Sequence, residues 1–329
     1  MTDPQISAII CTHNRDNYLG AAIDSLLEQD FPGVYEVIVV DNASTDHTQA
    51  VTQARLPHAC LRYVYEPMVG LSVARNRGAA EAVAPILAYL DDDAEATPHW
   101  LRSLYHAYQT HEQVAIAGGR VSLIWPDGTT HPNWISDQLA GNLGLYNLGD
   151  RFQFIDSPGL TPRGLNYSLR REFLDQIGGF DVNLGRVGKR LLSNEELHMT
   201  QQALQTGWQV AYVPDALVAH NVAPERLNPS WFLNRSWWQG ISEAYREELS
   251  HEQGWRQFIR GSERLLRGLY KALKHARDPA QRFDNFAYAY GQLGYLLSVF
   301  QGSWGRSKTV NSASTTISQP STSETTIPS

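Results

Sequence analysis

Three short apolar runs, ISAIIC at 6–11, EVIVVD at 36–41 and PILAYL at 85–90, each precede a polar turn. Runs of four to eight apolar residues bounded by turn signals read as buried strands. After the first run Leu19, Ala22, Ile23, Leu26 and Leu27 fall at helical spacing before Pro32. After the second, Ser44 or Thr45 is placed to cap a helix whose first turn carries Asp46. A third strand is expected over 61–65 and a helix over about 72–83, ahead of the run at 85–90. Strands alternating with helices build a parallel sheet covered on both faces, and such sheets bind ligands beyond the carboxyl ends of their strands. Asp41 ends one strand, and the triplet Asp91, Asp92 and Asp93 ends another.

Further along, Thr97-Pro98 opens a helix carrying Trp100, Leu101, Leu104, Tyr105 and Tyr108, and apolar strands are expected at 114–117 and 121–125. The pattern loosens from 126 to about 162 into a long loop region of the kind that lines sites. A strand at 164–169, a helix, the punctuation GGFD at 178–181, a helix over about 193–206 and the strand VAYV at 210–213 complete the α/β part. Beyond Pro224 only helices are convincing, so the expected organisation is a domain over 1–225, divided near 118, and a helical extension over 226–302. The Ser/Thr-rich stretch 303–329 cannot bury enough apolar area to offset its ordering entropy and reads as a disordered tail.

A net charge of -7 argues against a nucleic-acid ligand, which demands a basic footprint. The two cysteines, Cys11 and Cys60, offer neither a disulfide framework nor a thiolate metal site, which fits a reducing compartment. The amino terminus has no basic segment before its short apolar run and reads as a first strand rather than a signal, and no run of about 18–20 apolar residues is present. The expectation is a cytoplasmic protein.

Three successive carboxylates repel one another unless a cation neutralises them, so the DDD run suggests a Mg2+ or Mn2+ ion shared with substrate phosphates, against the plainer reading of a solvated acidic turn. Competing nucleotide motifs fail. The first turn reads CTHNRDNYLG where a dinucleotide fold needs G-x-G-x-x-G, and Gly188-Lys189 continues with Arg190 where a P-loop needs Ser or Thr.

In order along the chain, IICTHNR, VVDNASTD, GLSVARNRG, YLDDD, NYSLRREFL with GGFD, and SNEEL followed by GWQVAYVPDALVAH resemble family 2 glycosyltransferases of the GT-A fold. The resemblance covers residues 6 to about 221 and implies a mostly parallel sheet flanked by helices, here with a helical carboxyl-terminal extension. Residues 1–118 would form the nucleotide-sugar half and 119–225 the acceptor half. It further implies that Asp41 binds the base, typically uracil, that Thr12, Asn14 and Arg15 flank the nucleotide, and that Arg75 and Asn76 lie near the donor. Asp91 and Asp93 match the D-x-D pair, with Asp93, Asp91 and His220 toward Mn2+ or Mg2+ and Asp91 also toward the nucleotide. Where the family commonly has Glu-Asp this chain has Glu195-Glu196, so Glu196 is expected as the base and Glu195 as its reserve. The implied reaction is an inverting transfer from a nucleotide diphosphate sugar, UDP favoured, to a glycan or lipid-linked acceptor in polysaccharide or glycolipid assembly.

Asn166, Tyr167 and Arg186 are candidates for the acceptor side. Trp125 and Trp134 read either as acceptor platforms or as core. Asn42, Ser44 and Asn76 also read as helix caps and Arg75 as a solvated charge, while Arg226 and Arg235 read as diphosphate clamps or as solvated groups. Two other functions stay open: a sugar-nucleotide pyrophosphorylase, whose Gly-rich basic opening loop is missing here, and a catalytically inactive nucleotide-sugar-binding scaffold. Over 255–274 a basic helix carries Trp255, Phe258, Ile259, Leu265, Leu266, Leu269, Tyr270 and Leu273. Its two readings are packing on the catalytic domain and peripheral contact with the inner face of a membrane.

Overall fold

A computed structural model describes residues 3–126, 129, 131–185, 193–249 and 254–305. The first half runs β1 (Ile6–Thr12), α1 (Asp16–Leu27), β2 (Tyr35–Asp41), α2 (Thr48–Gln53), β3 (Leu61–Tyr65), α3 (Leu71–Glu81), β4 (Ile86–Asp91), β5 (Ala94–Ala96), α4 (Trp100–Thr110) and β6 (Val114–Ile124). The second runs α5 (Asp137–Ala140), β7 (Gln153–Ile155), β8 (Asn166–Arg170), α6 (Arg171–Ile177), α7 (Glu195–Gln205) and β9 (Gln209–Asn221), then three long helices, α8 (Pro229–Leu249), α9 (Gly254–Lys274) and α10 (Pro279–Gly305).

The sheet order is β3-β2-β1-β4-β8-β6-β9-β5, with β7 beside β9. β3, β2, β1 and β4 run parallel, and β8 inserts antiparallel between β4 and β6. Their near-continuous apolar sequences follow from burial on both faces; Ile9, Val39 and Leu87 are fully buried. The register pairs Thr12 with Asp41 and Cys11 with Asp91, so three polar strand ends stand in one row.

Several boundaries differ from expectation. The strands expected at 114–117 and 121–125 are one, β6, whose register against β9 shifts between Gly119 and Val121. A Cβ on Gly119 would stand 2.0 Å from the Ala216 carbonyl oxygen, so only glycine permits this approach. β9 extends far beyond VAYV, to Asn221, because it also pairs with the short strand β5 that follows the acidic triplet. α2 begins at Thr48, beyond Ser44 and Thr45, and Asp46 rather than either hydroxyl accepts from the Thr48 amide, at 3.0 Å. The loose region after 126 contains α5 and β7. Trp134 packs edge-on against Phe232 and Phe283 in a second apolar cluster that joins the extension to the α/β part, and Trp125 lies against the same cluster. α10 runs to Gly305, past the expected tail boundary; residues 306–329 lie outside the described residues.

Candidate active site

The row of strand ends opens into a cavity of about 710 Å³ bordered by the loops after β1, β2 and β4, the amino end of α7, and one face each of α8 and α10. Non-glycine residues with left-handed backbone occur in three of the loops around it: Asn14 (φ 55), Ala43 (φ 58) and Asn194 (φ 81). Such conformations persist where surrounding contacts impose them. Asn14 Oδ1 accepts from the Thr45 amide at 2.7 Å, and Ser44 Oγ accepts from the Asn14 amide at 3.0 Å, locking the loops after β1 and β2 together.

At the end of β4 the carboxylates are bound unequally. Asp93 Oδ1 lies 3.0 Å from His220 Nε2, Asp93 Oδ2 accepts from Arg226 at 3.0 Å, and Arg15 stands 3.9 Å away. Burial would push the Asp93 carboxyl up, but His220, Arg226 and Arg15 more than offset it and hold it well below the usual carboxylate range. Burial and the neighbouring Asp93 charge instead push the Asp92 carboxyl up to about 7. Burial also pushes the Cys11 thiol up to about 12, which removes it as a nucleophile near neutral pH.

Arg75, on α3 and only 3% exposed, donates to Glu196 at 2.8 Å and to Glu195 at 3.2 Å. Burial opposes its charge, yet the carboxylates of Glu196, Glu195 and Asp91 hold its proton firmly. Both glutamates open α7, where the helix dipole favours negative charge. Gly164 lies tight against the pair: a Cβ there would stand 1.7 Å from Glu196 Oε1 and 2.5 Å from Arg75 Nη2, so a larger residue would displace both side-chain ends.

A model of the Glycosyl transferase family 2 matches residues 7–178, more than half of the chain. The chain belongs to this family. Among family relatives, the glucosyl-dolichyl phosphate glucuronosyltransferase of Haloferax volcanii is 25% identical over 244 residues, 73% of this chain and 76% of that protein. Two solved structures share the fold. The mannosyltransferase PcManGT from Pyrobaculum calidifontis, in complex with GDP-Man and Mn2+, has a TM-score of 0.54 at 18% identity, over 93% of this chain and 77% of that one. S. aureus TarS in complex with UDP has a TM-score of 0.51 at 19% identity, over 93% and 94%. This family 2 chain is thus α/β with the GT-A architecture and a helical carboxyl-terminal region.

Of the residues singled out from sequence, Thr12, Arg15, Asn42, Arg75, Asp91, Asp92, Asp93, Glu195, Glu196, His220, Arg226 and Arg235 border the cavity, whereas Asn14, Asp41, Asn76, Asn166 and Tyr167 do not. Asp41 is buried with its carboxylate accepting from the Ser44 amide at 2.9 Å and Tyr63 Oη at 2.7 Å. Asn14 serves the loop lock. Asn76 exchanges both amide hydrogen bonds with the Phe180 backbone, at 2.9 and 2.8 Å, and fastens the GGFD turn. Asn166 accepts from Trp100 Nε1 at 2.8 Å and donates to the Ala216 carbonyl at 2.7 Å, stitching the sheet. Tyr167 is fully buried in β8. The acceptor-side expectation for Asn166 and Tyr167 is therefore corrected: their strand lies between two others, and their side chains are enclosed by packing. Arg186 lies outside the described residues.

The wall that sequence reasoning missed comes from the extension: Gln239 and Glu243 on α8, and Asp284 and Gly291 on α10. Arg163 was also overlooked. It borders the cavity, its Nε has no hydrogen-bond partner, and burial lowers its hold on its proton. An Arg-Gly pair before NYSL was its only sequence signal.

Among the described residues no group of three His, Cys, Asp or Glu side chains stands ready as a metal cage. The donor set nonetheless fits a hard divalent ion shared with substrate phosphates, which takes only one or two protein carboxylates. Asp91 and Asp93 supply those at the cavity, and the buried His220 Nδ1 has no partner.

Proposed function

We propose that this family 2 glycosyltransferase moves a sugar from a nucleotide diphosphate donor to an acceptor hydroxyl with inversion at the anomeric carbon, with Glu196 as the base. One observation carries the reading: a partly exposed carboxylate at a helix amino terminus, held by the buried Arg75, shares one cavity with the acidic end of β4. The ion pair with the buried Arg75 fixes the position of the Glu196 carboxylate, and a general base must be so positioned.

In this mechanism a Glu196 oxygen takes the proton of the acceptor hydroxyl as the hydroxyl oxygen bonds to the anomeric carbon. The bond from the anomeric carbon to the diphosphate oxygen breaks, and its electron pair leaves with the nucleotide. Arg15 and Arg226, already beside Asp93, supply fixed positive charge where the leaving group gathers negative charge. Asp91 and Asp93 would hold Mn2+ or Mg2+, which would supply Lewis-acid stabilisation of the diphosphate when bound. Thr12 and Asn42, both at the cavity, are the proposed contacts to the nucleoside, in place of the enclosed Asp41 carboxylate. The unpaired Arg163 Nε is the proposed contact to the acceptor.

UDP is the donor nucleotide proposed first. The UDP bound by TarS supports it, while the GDP-Man of the mannosyltransferase makes GDP the necessary control. The dolichyl phosphate in the name of the haloarchaeal relative supports a lipid-linked acceptor in glycolipid or polysaccharide assembly. The family match sets aside the pyrophosphorylase reading. Calorimetric titration of UDP and GDP, with Mn2+ and then with EDTA, tests the donor half; metal-dependent UDP binding is expected. Failure of both nucleotides to bind would overturn the proposed donor site.

A further inference from the structure

α9 turns an unusual face inward. Its buried positions are Gln257, Gly261 and Gly268. A Cβ on Gly261 would come within 2.8 Å of the Tyr295 side chain, and one on Gly268 within 3.0 Å of the Ala289 Cβ, so glycine sets how closely α9 lies on α10. At 3.6 residues per turn, Ile259, Leu266, Tyr270 and Leu273 project to the opposite side. Leu266 is 67%, Tyr270 65% and Leu273 77% exposed, with Ile259, Phe258 and Leu269 exposed beside them. α10 adds a second stripe at spacings of seven and four, Phe286, Leu293 and Leu297, all exposed. Scattered exposed apolar residues need no explanation, but a continuous stripe along a helix marks an interaction surface.

The charges beside the stripe indicate what it meets. From 264 to 277 the chain carries Arg264, Arg267, Lys271, Lys274 and Arg277 and no acidic residue, within a protein of net charge -7. Arg264 is drawn inward to Glu243 at 2.8 Å, whereas Lys271 and Lys274 are exposed. On the helical wheel Arg267, Lys271 and Lys274 lie along one flank of the stripe, together with Glu263, which pairs with Arg267 and leaves the two lysines as the flank's uncompensated cations among the described residues. An apolar face bordered by cations is the pattern of a helix lying in a bilayer interface, where lipid headgroups take the charge and the acyl boundary takes the apolar side chains. No described helix is long and apolar enough to cross a membrane, so the contact would be one of adsorption.

We propose that α9 docks the protein on an anionic phospholipid bilayer, with Ile259, Leu266, Tyr270 and Leu273 at the acyl boundary and Arg267, Lys271 and Lys274 at the headgroups. α10 packs directly on α9, and Asp284 and Gly291 of α10 border the catalytic cavity. Docking through α9 would therefore set the lipid surface one helix behind the cavity wall. The proposal does not depend on which sugar is transferred, and adsorption can be read without any transfer assay.

The test is co-sedimentation of the full chain with neutral phosphatidylcholine vesicles and with vesicles containing phosphatidylglycerol. Binding to the anionic vesicles is expected to be at least about tenfold stronger and to weaken with added salt. Leu266→Glu with Leu273→Glu should cut that binding by about tenfold or more, because both side chains leave the apolar boundary. Lys271→Glu with Lys274→Glu should remove the preference for anionic lipid. Both variants alter exposed positions, and unchanged thermal unfolding and nucleotide titration would show that they fold. Equal binding to both vesicle types, or full binding by the Leu266→Glu, Leu273→Glu variant, would overturn the proposal. Absence of vesicle binding would also overturn it, and self-association abolished by the leucine substitutions would then assign the stripe to a second copy of the chain.

Discussion

At the amino-terminal edge of the sheet, Glu36 in β2 accepts from Ser7 Oγ at 2.6 Å, the Val83 amide at 2.8 Å and Arg62 at 2.7 Å. At the opposite edge, Asp93 and Glu196 are also buried or nearly so, but their main partners are cations that border a cavity. Burial would push the Glu36 carboxyl up; the hydrogen bonds from Ser7, Val83 and Arg62 hold it below its usual value. The Ser7 hydroxyl and the Val83 amide, with the half-exposed Arg62, satisfy Glu36 outside the cavity, so its role is to join β1, β2 and the chain leading into β4. At the other edge the partners are charged side chains that border the cavity, where a diphosphate, a metal or an acceptor can compete for them. The same residue type is structural where its partners are permanent and suited to chemistry where they are replaceable.

The sharpest way to break this comparison is Glu196→Gln. Transfer should fall by about 10²–10⁴, the usual contribution of a positioned base, while calorimetry shows donor affinity unchanged; full turnover would remove Glu196 from the base role. Next is Arg75→Met, which leaves Glu195 and Glu196 without their buried cation. A loss of about 3–5 kcal/mol in denaturant unfolding is expected for such a broken pair, and an unchanged midpoint would mean that the two carboxylates find other partners.

Glu36→Gln probes the opposite edge. It should cost about 1–3 kcal/mol of stability through weakened buried hydrogen bonds, with kcat and KM for transfer unchanged. The sign with pH follows from its lowered value. The stabilisation is fully present above the unfolded carboxyl value of 4.5 and is lost as pH falls through the lower folded value. The stability difference between wild type and variant should therefore hold from pH 7 to about 5 and shrink below that; a difference that grows on acidification would contradict the account. The smallest effect expected is from Arg226→Met. Without its guanidinium, Asp93 should bind Mn2+ a few-fold more tightly in the absence of donor, roughly what one partly replaceable counter-charge contributes, as read by electron paramagnetic resonance titration.

The candidate site was legible only in part. The acidic strand end singled out Asp91 and Asp93 locally, whereas Thr12, Arg15, Glu195 and Glu196 came from the family resemblance; all six border the cavity. Asp41, Asn14, Asn76, Asn166 and Tyr167 sit in equally good motifs, yet their side chains are turned to Tyr63, Thr45, Phe180, Trp100 and the sheet interior. No spacing rule contains those partners, which lie between 22 and 104 residues away in the four hydrogen-bonded cases. Gly164 and Arg163 escaped notice because a close approach and an unpaired buried nitrogen exist only once the chain is folded.

The amino-acid sequence by itself determined the alternation of strands and helices, the acidic ends of the parallel strands and the order of the family motifs. Each of these is written in periodicity or in adjacent residues, which need no distant partner to have their effect. Tertiary structure alone decided which polar side chains face the cavity, that α8 and α10 wall it, and that α9 buries its glycines while exposing its leucines. A helical pattern states that two faces differ. Which face packs is set by the shape of the neighbouring surface, and here the tight fit of Gly261 and Gly268 on α10 outweighed the burial of the apolar stripe.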